Sequence, residues 1–335
     1  MKILFIGGTG IITTDTARLA VECGMDVTLL NRGTSKLAPN GAKQLHADIY
    51  DRDAVERAIG NETWDVILDC ISYTRDELRY KLEVFRCRYR QFVFISSVAV
   101  YKNGGPLPRK ENDPTGNFCW DYGYNKAACE GELEREHYLY GSEYTIVRPG
   151  ETYNDLRIPM VIVANAYNGG YTMVDRIRRG KPLIVQDDGL TVSPFTHASD
   201  IAKGIVGLFM NRKAFGEAFH ITTDEVHSWR EVTQMVGKAA GRETRIVYVP
   251  TKELVKAYPY TPHGDTYGVL VGGKCFNNVF DNSKIKSVVP DFYCKVSLSE
   301  GLQRTIAFYD NHPEYKVTNR KLDEDMDRLV EQFDH

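Results

Sequence analysis

Short apolar runs alternate with amphipathic stretches over the first hundred positions. Lys2–Ile6, Asp26–Leu30, Gln44–Ala47, Asp65–Asp69 and Gln91–Ile95 read as strands, and Ile11–Cys23, Asp51–Ile59 and Glu77–Cys87 as the helices between them. Strands that alternate with helices imply right-handed crossovers, so the pattern predicts an α/β fold with a parallel, doubly wound sheet covered on both faces. The rhythm continues with a helix over Asn125–His137 and a strand over Tyr144–Val147. After Arg148-Pro149-Gly150 the chain becomes richer in Gly, Pro and Arg, as in Asn168-Gly169-Gly170 and Arg178-Arg179-Gly180, and a smaller α+β lobe is expected to begin there. His197–Phe209 and a short strand at Ala218–Ile221 mark a return to the main sheet. Ser228–Ala240 reads as a helix, Thr244–Val249 as a strand, Pro259–Gly273 as a loop over the lobe, and Ser297–Tyr309 and Lys321–Phe333 as amphipathic closing helices.

Composition narrows the classes. At roughly 150 residues per domain, 335 residues suggest two domains or one domain with an insert. With 42 Lys+Arg against 45 Asp+Glu, the net charge of −3 argues against a dedicated binder of nucleic acid or membrane surfaces. No apolar run approaches the ~18 residues of a membrane span. Met1-Lys2-Ile3-Leu4-Phe5-Ile6-Gly7 is broken by glycine too early for a signal peptide. Seven scattered cysteines without a CxxC pair read as reduced thiols in a cytoplasmic protein. No His/Cys cluster has metal-ligand spacing, so no metal is expected.

The first candidate chemistry is Gly7-Gly8-Thr9-Gly10, between the first strand and the first helix. Glycines there permit a tight turn and close approach of the backbone to a pyrophosphate, which the helix N-terminus then stabilises. The spacing is that of a GxxGxxG loop with Thr13 in place of the third glycine. The second strand runs into Leu30-Asn31-Arg32-Gly33, where an acid would select NAD through the ribose 2′-hydroxyl. Arg32 instead suits a 2′-phosphate and leans the reading toward NADP, the alternative being a solvated charge stacked on adenine. Asp48-Ile49 follows the third strand, where an Asp can bond the adenine amino group or simply cap a helix.

The second constellation is Ser96-Ser97 at the end of a strand, followed by Tyr122-Gly123-Tyr124-Asn125-Lys126. Tyr122 and Lys126 are four apart, hence on one face at a helix start. A phenol is a poor base near neutral pH, and a neighbouring ammonium together with an oxidised nicotinamide favours its phenolate. Ser97 is placed to hold a substrate oxygen in line with Tyr122 for proton transfer to or from an alcohol.

Gly7-Gly8-Thr9-Gly10, Phe94-Ile95-Ser96-Ser97-Val98-Ala99-Val100-Tyr101, the Tyr122/Lys126 pair, Arg148-Pro149-Gly150 and Asp188-Gly189…Phe195-Thr196-His197-Ala198-Ser199-Asp200 together resemble the extended short-chain dehydrogenase/reductases, the NAD-dependent epimerase/dehydratase family. The resemblance runs to about residue 240. It implies a Rossmann-type dinucleotide-binding domain over residues 1–153 and about 191–224, and a substrate lobe with closing helices over about 154–190 and 225–335. It implies Ser97, Tyr122 and Lys126 as catalytic residues. The expected cofactor contacts are Gly7, Thr9, Gly10, Ile11, Ile12, Asn31, Arg32, Asp48, Ile49, Cys70, Ser72, Ser96, Tyr122, Lys126, Pro149 and Thr152. A homodimer through the helices around Glu77–Cys87 and Asn125–His137 is a further implication of the family.

Departures from the family pattern narrow the chemistry. Dehydratases of the family carry an Asp-Glu pair after the hydroxyl residue, where this chain has Val98 and Ala99. Sugar-acid decarboxylases have a Glu, and 3,5-epimerase–reductases a Cys, at the Ala99 position. What remains is redox at a single carbon. The first expectation is a 4-epimerase of a nucleotide sugar working through a transient ketone, and the alternative is an NADPH-dependent ketoreductase. Ser193-Pro194 stands where many relatives have an Arg that grips the diphosphate, and Glu151 and Asn154 replace an Asn and a Gly of the RPxNxYG segment. Arg157, Arg176, Arg178 and Arg179 are candidate substitutes for that Arg. The tract Ser97-Val98-Ala99-Val100-Tyr101-Lys102 also resembles atypical members, among them plastid RNA-binding proteins, so a non-catalytic cofactor- or RNA-binding protein is a further alternative.

Overall fold

The computed structural model describes residues 1–159, 170–258, 260–261 and 264–334. The chain begins β1 (Lys2–Ile6), α1 (Ile11–Glu22), β2 (Asp26–Asn31), β3 (Lys43–His46), α2 (Arg52–Ile59), β4 (Trp64–Asp69), α3 (Arg75–Val84) and β5 (Tyr89–Ile95). A 3₁₀ turn at Val98–Val100 then leads to α4 (Asp121–Tyr140), β6 (Tyr144–Pro149) and β7 (Glu151–Tyr153). Next come α5 (Thr172–Arg178), β8 (Leu183–Gln186), β9 (Val192–Ser193), β10 (Phe195–His197), α6 (Ala198–Leu208) and β11 (Glu217–Ile221). The remainder is β12 (His227–Ser228), α7 (Trp229–Ala239), β13 (Ile246–Val249), α8 (Thr251–Ala257), β14 (Tyr260–Thr261), β15 (Gly264–Asp265), α9 (Thr266–Val269), α10 (Ser283–Val288), α11 (Leu298–Asn311) and α12 (Arg320–Phe333).

Seven strands form one parallel sheet in the order β11-β6-β5-β4-β1-β2-β3. Successive residues of a strand face opposite sides, and both sides are dry along most of β1, β4 and β5, while the edge strand β3 is largely exposed. Ile3 and Phe5 pack with α1 and α6, whereas Leu4 and Ile6 pack with α2 and α3. This explains why the strands read as unbroken apolar runs. The strand order reverses at β1, so the crevice between the carboxyl ends of β1 and β4 is the place where such a sheet binds ligands.

A separate apolar cluster gathers α5, β8, α7, β13, α11 and α12 around Trp229, Phe195 and Tyr153. Arg176, fully buried on α5, ties it together through Asp323 (2.5 Å) and Asp327 (2.9 Å) of α12. The segment read as a loop over Pro259–Gly273 differs. Thr266–Val269 is helical and continues into a π-helical turn at Leu270–Lys274. Its glycines are packing surface rather than turn makers: a Cβ on Gly268 would lie 2.4 Å from Trp120 Cδ1, and one on Gly272 2.5 Å from Trp120 Cβ. The sequence also gave no sign of α5, α8 or α10, which are short and weakly periodic. Asn168, Gly169 and Pro259 lie outside the described residues. Among the described residues no helix is long and apolar enough to cross a membrane.

Beneath the sheet edge lies a buried ionic chain. Glu130 on α4 accepts from Arg148 Nη2 (2.6 Å) and Nε (2.9 Å) and from Ser96 Oγ (2.5 Å). Burial works against the Arg148 charge, but the Glu130 hydrogen bonds outweigh it and hold the guanidinium pKa above its ordinary value. Removing one partner strands the other. Glu130→Ala is therefore expected to lower unfolding stability by about 3–5 kcal/mol, and Glu130→Leu combined with Arg148→Met by much less. Urea denaturation measures both, and a double variant as unstable as the single one would overturn this account of the pair.

Candidate active site

The carboxyl ends of β1, β4, β5 and β6 open into a cavity of about 490 Å³. One wall is the turn from β1 into α1. Gly7, at φ +104°, is pressed against the loop after β4, so that a Cβ there would lie 3.0 Å from both Cys70 Sγ and Ile71 Cγ2. The Gly10 amide donates to Thr13 Oγ1 at 3.0 Å, so the threonine in the third-glycine position closes the turn with its own hydroxyl. The opening amides of α1 have no intrahelical acceptor, and Ile11 and Ile12 line the cavity. A bare backbone cradle running into a helix N-terminus fits the pyrophosphate of a dinucleotide.

Gly7, Thr9, Gly10, Ile11, Ile12, Cys70, Ser96, Ser97, Tyr122, Lys126, Pro149 and Thr152 all line this cavity. Five of the expected cofactor contacts lie outside its wall. Asn31 ends β2, where Oδ1 accepts from the Gly33 amide (2.7 Å) and Nδ2 is buried with no partner among the described residues. Arg32 is exposed and has no ionic partner among the described residues. Asp48 is exposed and accepts from the Tyr50 amide (3.1 Å), while Asp51 is the residue that caps α2. Ile49 is buried in the core beside α2. Ser72 is fully buried: its hydroxyl donates to the Asp69 carboxylate and accepts from Lys81 Nζ (2.6 Å).

Lys126 is the focus of the site. It is almost wholly buried, and Nζ donates to the carbonyls of Ser72 and Ile95, each at 2.8 Å. It also stands 4.7 Å from the Phe94 ring centre, 5.0 Å from that of Tyr73 and 5.9 Å from that of Tyr122. Burial lowers its pKa from the usual lysine value. Tyr122 moves the other way: burial raises the phenol, and a hydrogen bond with Ser97 opposes the rise. Ser97 Oγ also accepts from the Ala99 amide (3.1 Å), which fixes the 3₁₀ turn after β5. Gly123, between Tyr122 and Lys126, permits the contact of α4 with this turn, since a Cβ would lie 2.2 Å from Ala99 O. Ser96 reaches the wall but commits its hydroxyl to Glu130.

Other wall residues escaped sequence reasoning. Trp120 lies 5.0 Å from Tyr122, ring centre to ring centre, and its Nε1 is buried without a partner among the described residues. Arg109, Asn117 and Phe280 come from irregular segments far apart in sequence, and Lys274 ends the π-helical turn. Asn117 Nδ2 donates to Ala99 O (3.0 Å) and Gly272 O (2.7 Å), joining the turn after β5 to the helical strap. Of the four arginines considered for a diphosphate, only Arg157 lines the cavity. Arg176 is committed to α12, Arg178 to Asp310 (2.7 and 2.8 Å), and Arg179 to Asp175 and Asp323. The FxHxxD segment is structural: His197 bonds Ser199 and Asp155, and buried Asp200 accepts from the Val296 amide (2.9 Å).

Comparison with known proteins agrees with this architecture. A chloroplast stem-loop binding protein of 41 kDa from Arabidopsis thaliana is 28% identical over 280 residues, covering 77% of this chain and 70% of its own. A 2′-dehydrokanamycin reductase from Streptomyces kanamyceticus is 25% identical over 254 residues, covering 75% and 70%. The solved structure of a UDP-glucose 4-epimerase from Bifidobacterium longum, in complex with NAD⁺ and UDP, superposes with a TM-score of 0.73 at 20% identity, covering 94% of this chain and all of the other. The family model for the NAD dependent epimerase/dehydratase family matches residues 3–221, and with its seven-stranded Rossmann-type sheet the chain belongs to that family.

Proposed function

We propose that this protein is a nicotinamide-dependent oxidoreductase that acts at one secondary alcohol or ketone carbon of a sugar-like substrate, foremost as a nucleotide-sugar 4-epimerase. The observation that carries the reading is the convergence of Ser97, Tyr122 and Lys126 with the glycine turn on one cavity. A bound dinucleotide supplies the hydride acceptor and donor. Ser97 orients the substrate oxygen. Tyr122 takes the alcohol proton in the oxidative direction and returns it in the reductive one. Lys126, desolvated and held by two carbonyls, stands against the face of the site, where its ammonium form favours the phenolate through its charge. Val98 and Ala99 offer no acid or base, which supports redox at one carbon over dehydration. In this reading residues 1–153 and about 191–224 hold the cofactor and the remainder holds the substrate. An NADPH-dependent ketoreductase is the alternative within the same chemistry.

A second reading rests on a different observation. The stem-loop binding relative aligns over 77% of this chain, which favours a nucleic-acid ligand for the same fold. The net charge of −3 weighs against it.

Mass spectrometry of the denatured protein is expected to find one dinucleotide per chain if the enzyme is an epimerase. An empty protein that binds added NADPH points to the reductase. Tyr122→Phe is expected to abolish turnover with cofactor affinity kept within a few fold. Substantial residual turnover removes Tyr122 from proton transfer, and binding of an RNA stem-loop by a protein that takes no dinucleotide replaces the enzymatic reading. Arg32, exposed and unpaired among the described residues, supports NADP. Arg32→Glu is expected to weaken NADP far more than NAD, and equal losses in a fluorescence titration would dismiss the 2′-phosphate contact.

A further inference from the structure

Among the described residues, three arginines are buried: Arg109, Arg148 and Arg176. Two have carboxylate partners, Arg148 with Glu130 at 2.6 Å and Arg176 with Asp323 at 2.5 Å. Arg109 does not. It is 4% exposed, lines the cavity, and its guanidinium makes no hydrogen bond or ion pair with any described residue. The Asp113 carboxylate acts on it through its field without bonding it, partly opposing the effect of burial, and the guanidinium carbon lies 5.6 Å from the centre of Tyr101.

This placement is built, not incidental. The Arg109 backbone is clamped on both sides, its amide donating to Val279 O (2.8 Å) and its carbonyl accepting from the Asp281 amide (2.8 Å). Gly105 leaves room for the guanidinium, since a Cβ there would stand 2.6 Å from Nη1. Tyr101, under the guanidinium, is itself fixed by Arg148 Nη1 (2.7 Å) and His220 Nε2 (2.5 Å). Burial pushes the His220 imidazole down to about 4, so that ring is neutral and contributes no competing charge. A buried cation with no bonded counter-ion, offset only in part by the field of Asp113, is costly unless a ligand supplies one. Burial already pulls the Arg109 pKa below the ordinary guanidinium value, a cost that an anion in the cavity would offset. The same cavity is lined by Arg157 and Lys274, against one carboxylate, Glu151, which lies 4.0 Å from Lys274.

We propose that Arg109 is the substrate-side anion anchor, binding a carboxylate or phosphate oxygen pair of the substrate. Its planar fork suits such a bidentate contact. This places the substrate's oxyanion, the phosphate that a nucleotide sugar already carries or a carboxylate, at the Arg109 end of the cavity. This inference rests on the oxidoreductase reading of the same cavity.

The test is a titration of the full-length protein with its dinucleotide site saturated by NADH or NADPH, so that added anions report only on the substrate half. The probes are glucuronate (carboxylate), glucose 1-phosphate (phosphate), UDP-glucuronate, UDP-glucose, and neutral glucose. Binding is read by calorimetry and by quenching of tryptophan fluorescence, for which Trp120 in the cavity wall is a reporter. The wild type is expected to prefer charged probes over glucose, with the responding arm identifying carboxylate or phosphate. Arg109→Gln is expected to weaken that binding by roughly tenfold or more, leaving glucose and dinucleotide affinity unchanged. Arg109→Met guards against a merely structural effect. Removing a buried charge that no carboxylate bonds is expected to leave the thermal midpoint at or above that of the wild type while anion binding is lost. A wild type that binds charged and neutral probes alike, or none of them, overturns the proposal. So does undiminished anion affinity in Arg109→Gln, or a folded Arg109→Met that still binds. A wild type that takes up no dinucleotide at the outset fails the oxidoreductase reading instead, and that step is measured separately.

Discussion

An ammonium without water must find oxygen elsewhere, and in this fold Lys126 finds it in backbone carbonyls. Ser72 O and Ile95 O, each 2.8 Å from Nζ, belong to the loop after β4 and to the last residue of β5. One desolvated charge therefore links two neighbouring strand ends to α4. The Ser72 loop cannot drift, because its hydroxyl is bonded to Asp69 and to Lys81, and Lys81 is itself buried, 3.6 Å from Asp69. Two lysines and one aspartate thus share a dry pocket behind the cavity wall, and each has a partner. Ser72 was expected to touch a cofactor. It instead holds the residue expected to act beside that cofactor, which is a role only three-dimensional structure reveals.

The consequence for Tyr122 is geometric. It sits one turn before Lys126, so its position follows from that of α4. The close contact of Gly123 with Ala99 O then sets how near α4 comes to the turn carrying Ser97. A side chain at residue 123 would push the phenol away from the serine hydroxyl. The spacing of Tyr122, Gly123 and Lys126 is thus one unit, with a glycine whose φ is ordinary and whose value is its missing Cβ.

The sheet was readable because its strands are covered on both sides. Ile3–Ile6 of β1 and Val66–Leu68 of β4 are unbroken apolar runs, and the helices between the strands read as amphipathic repeats. The glycine turn and the Ser97, Tyr122 and Lys126 set were readable because short-range geometry places them: a strand end, a helix start and a spacing of four. Arg109, Trp120, Asn117 and Lys274 were not. They lie in segments with no period, and only the joining of residues 99–120 with residues 266–280 through Asn117 and Trp120 brings them to one wall. The glycines at 268 and 272 misled for a physical reason. They signal flexible turns in a sequence, but here they let a helical strap lie flat on an indole.

The two halves of the cavity use different physics for charge. On the β1–α1 side, the groups suited to an anion are backbone: bare glycines and the opening amides of a helix, with no lysine or arginine in the turn. On the far side the charge is carried by side chains, Arg109, Arg157 and Lys274. A backbone cradle is fixed by the fold itself, because altering it means altering β1 or α1. A side-chain set can change residue by residue while the sheet and the Lys126 anchor stay as they are. That division accounts for a phosphate turn and a Ser-Tyr-Lys set legible at once in the sequence, beside a substrate wall whose charged residues come together only in the folded chain.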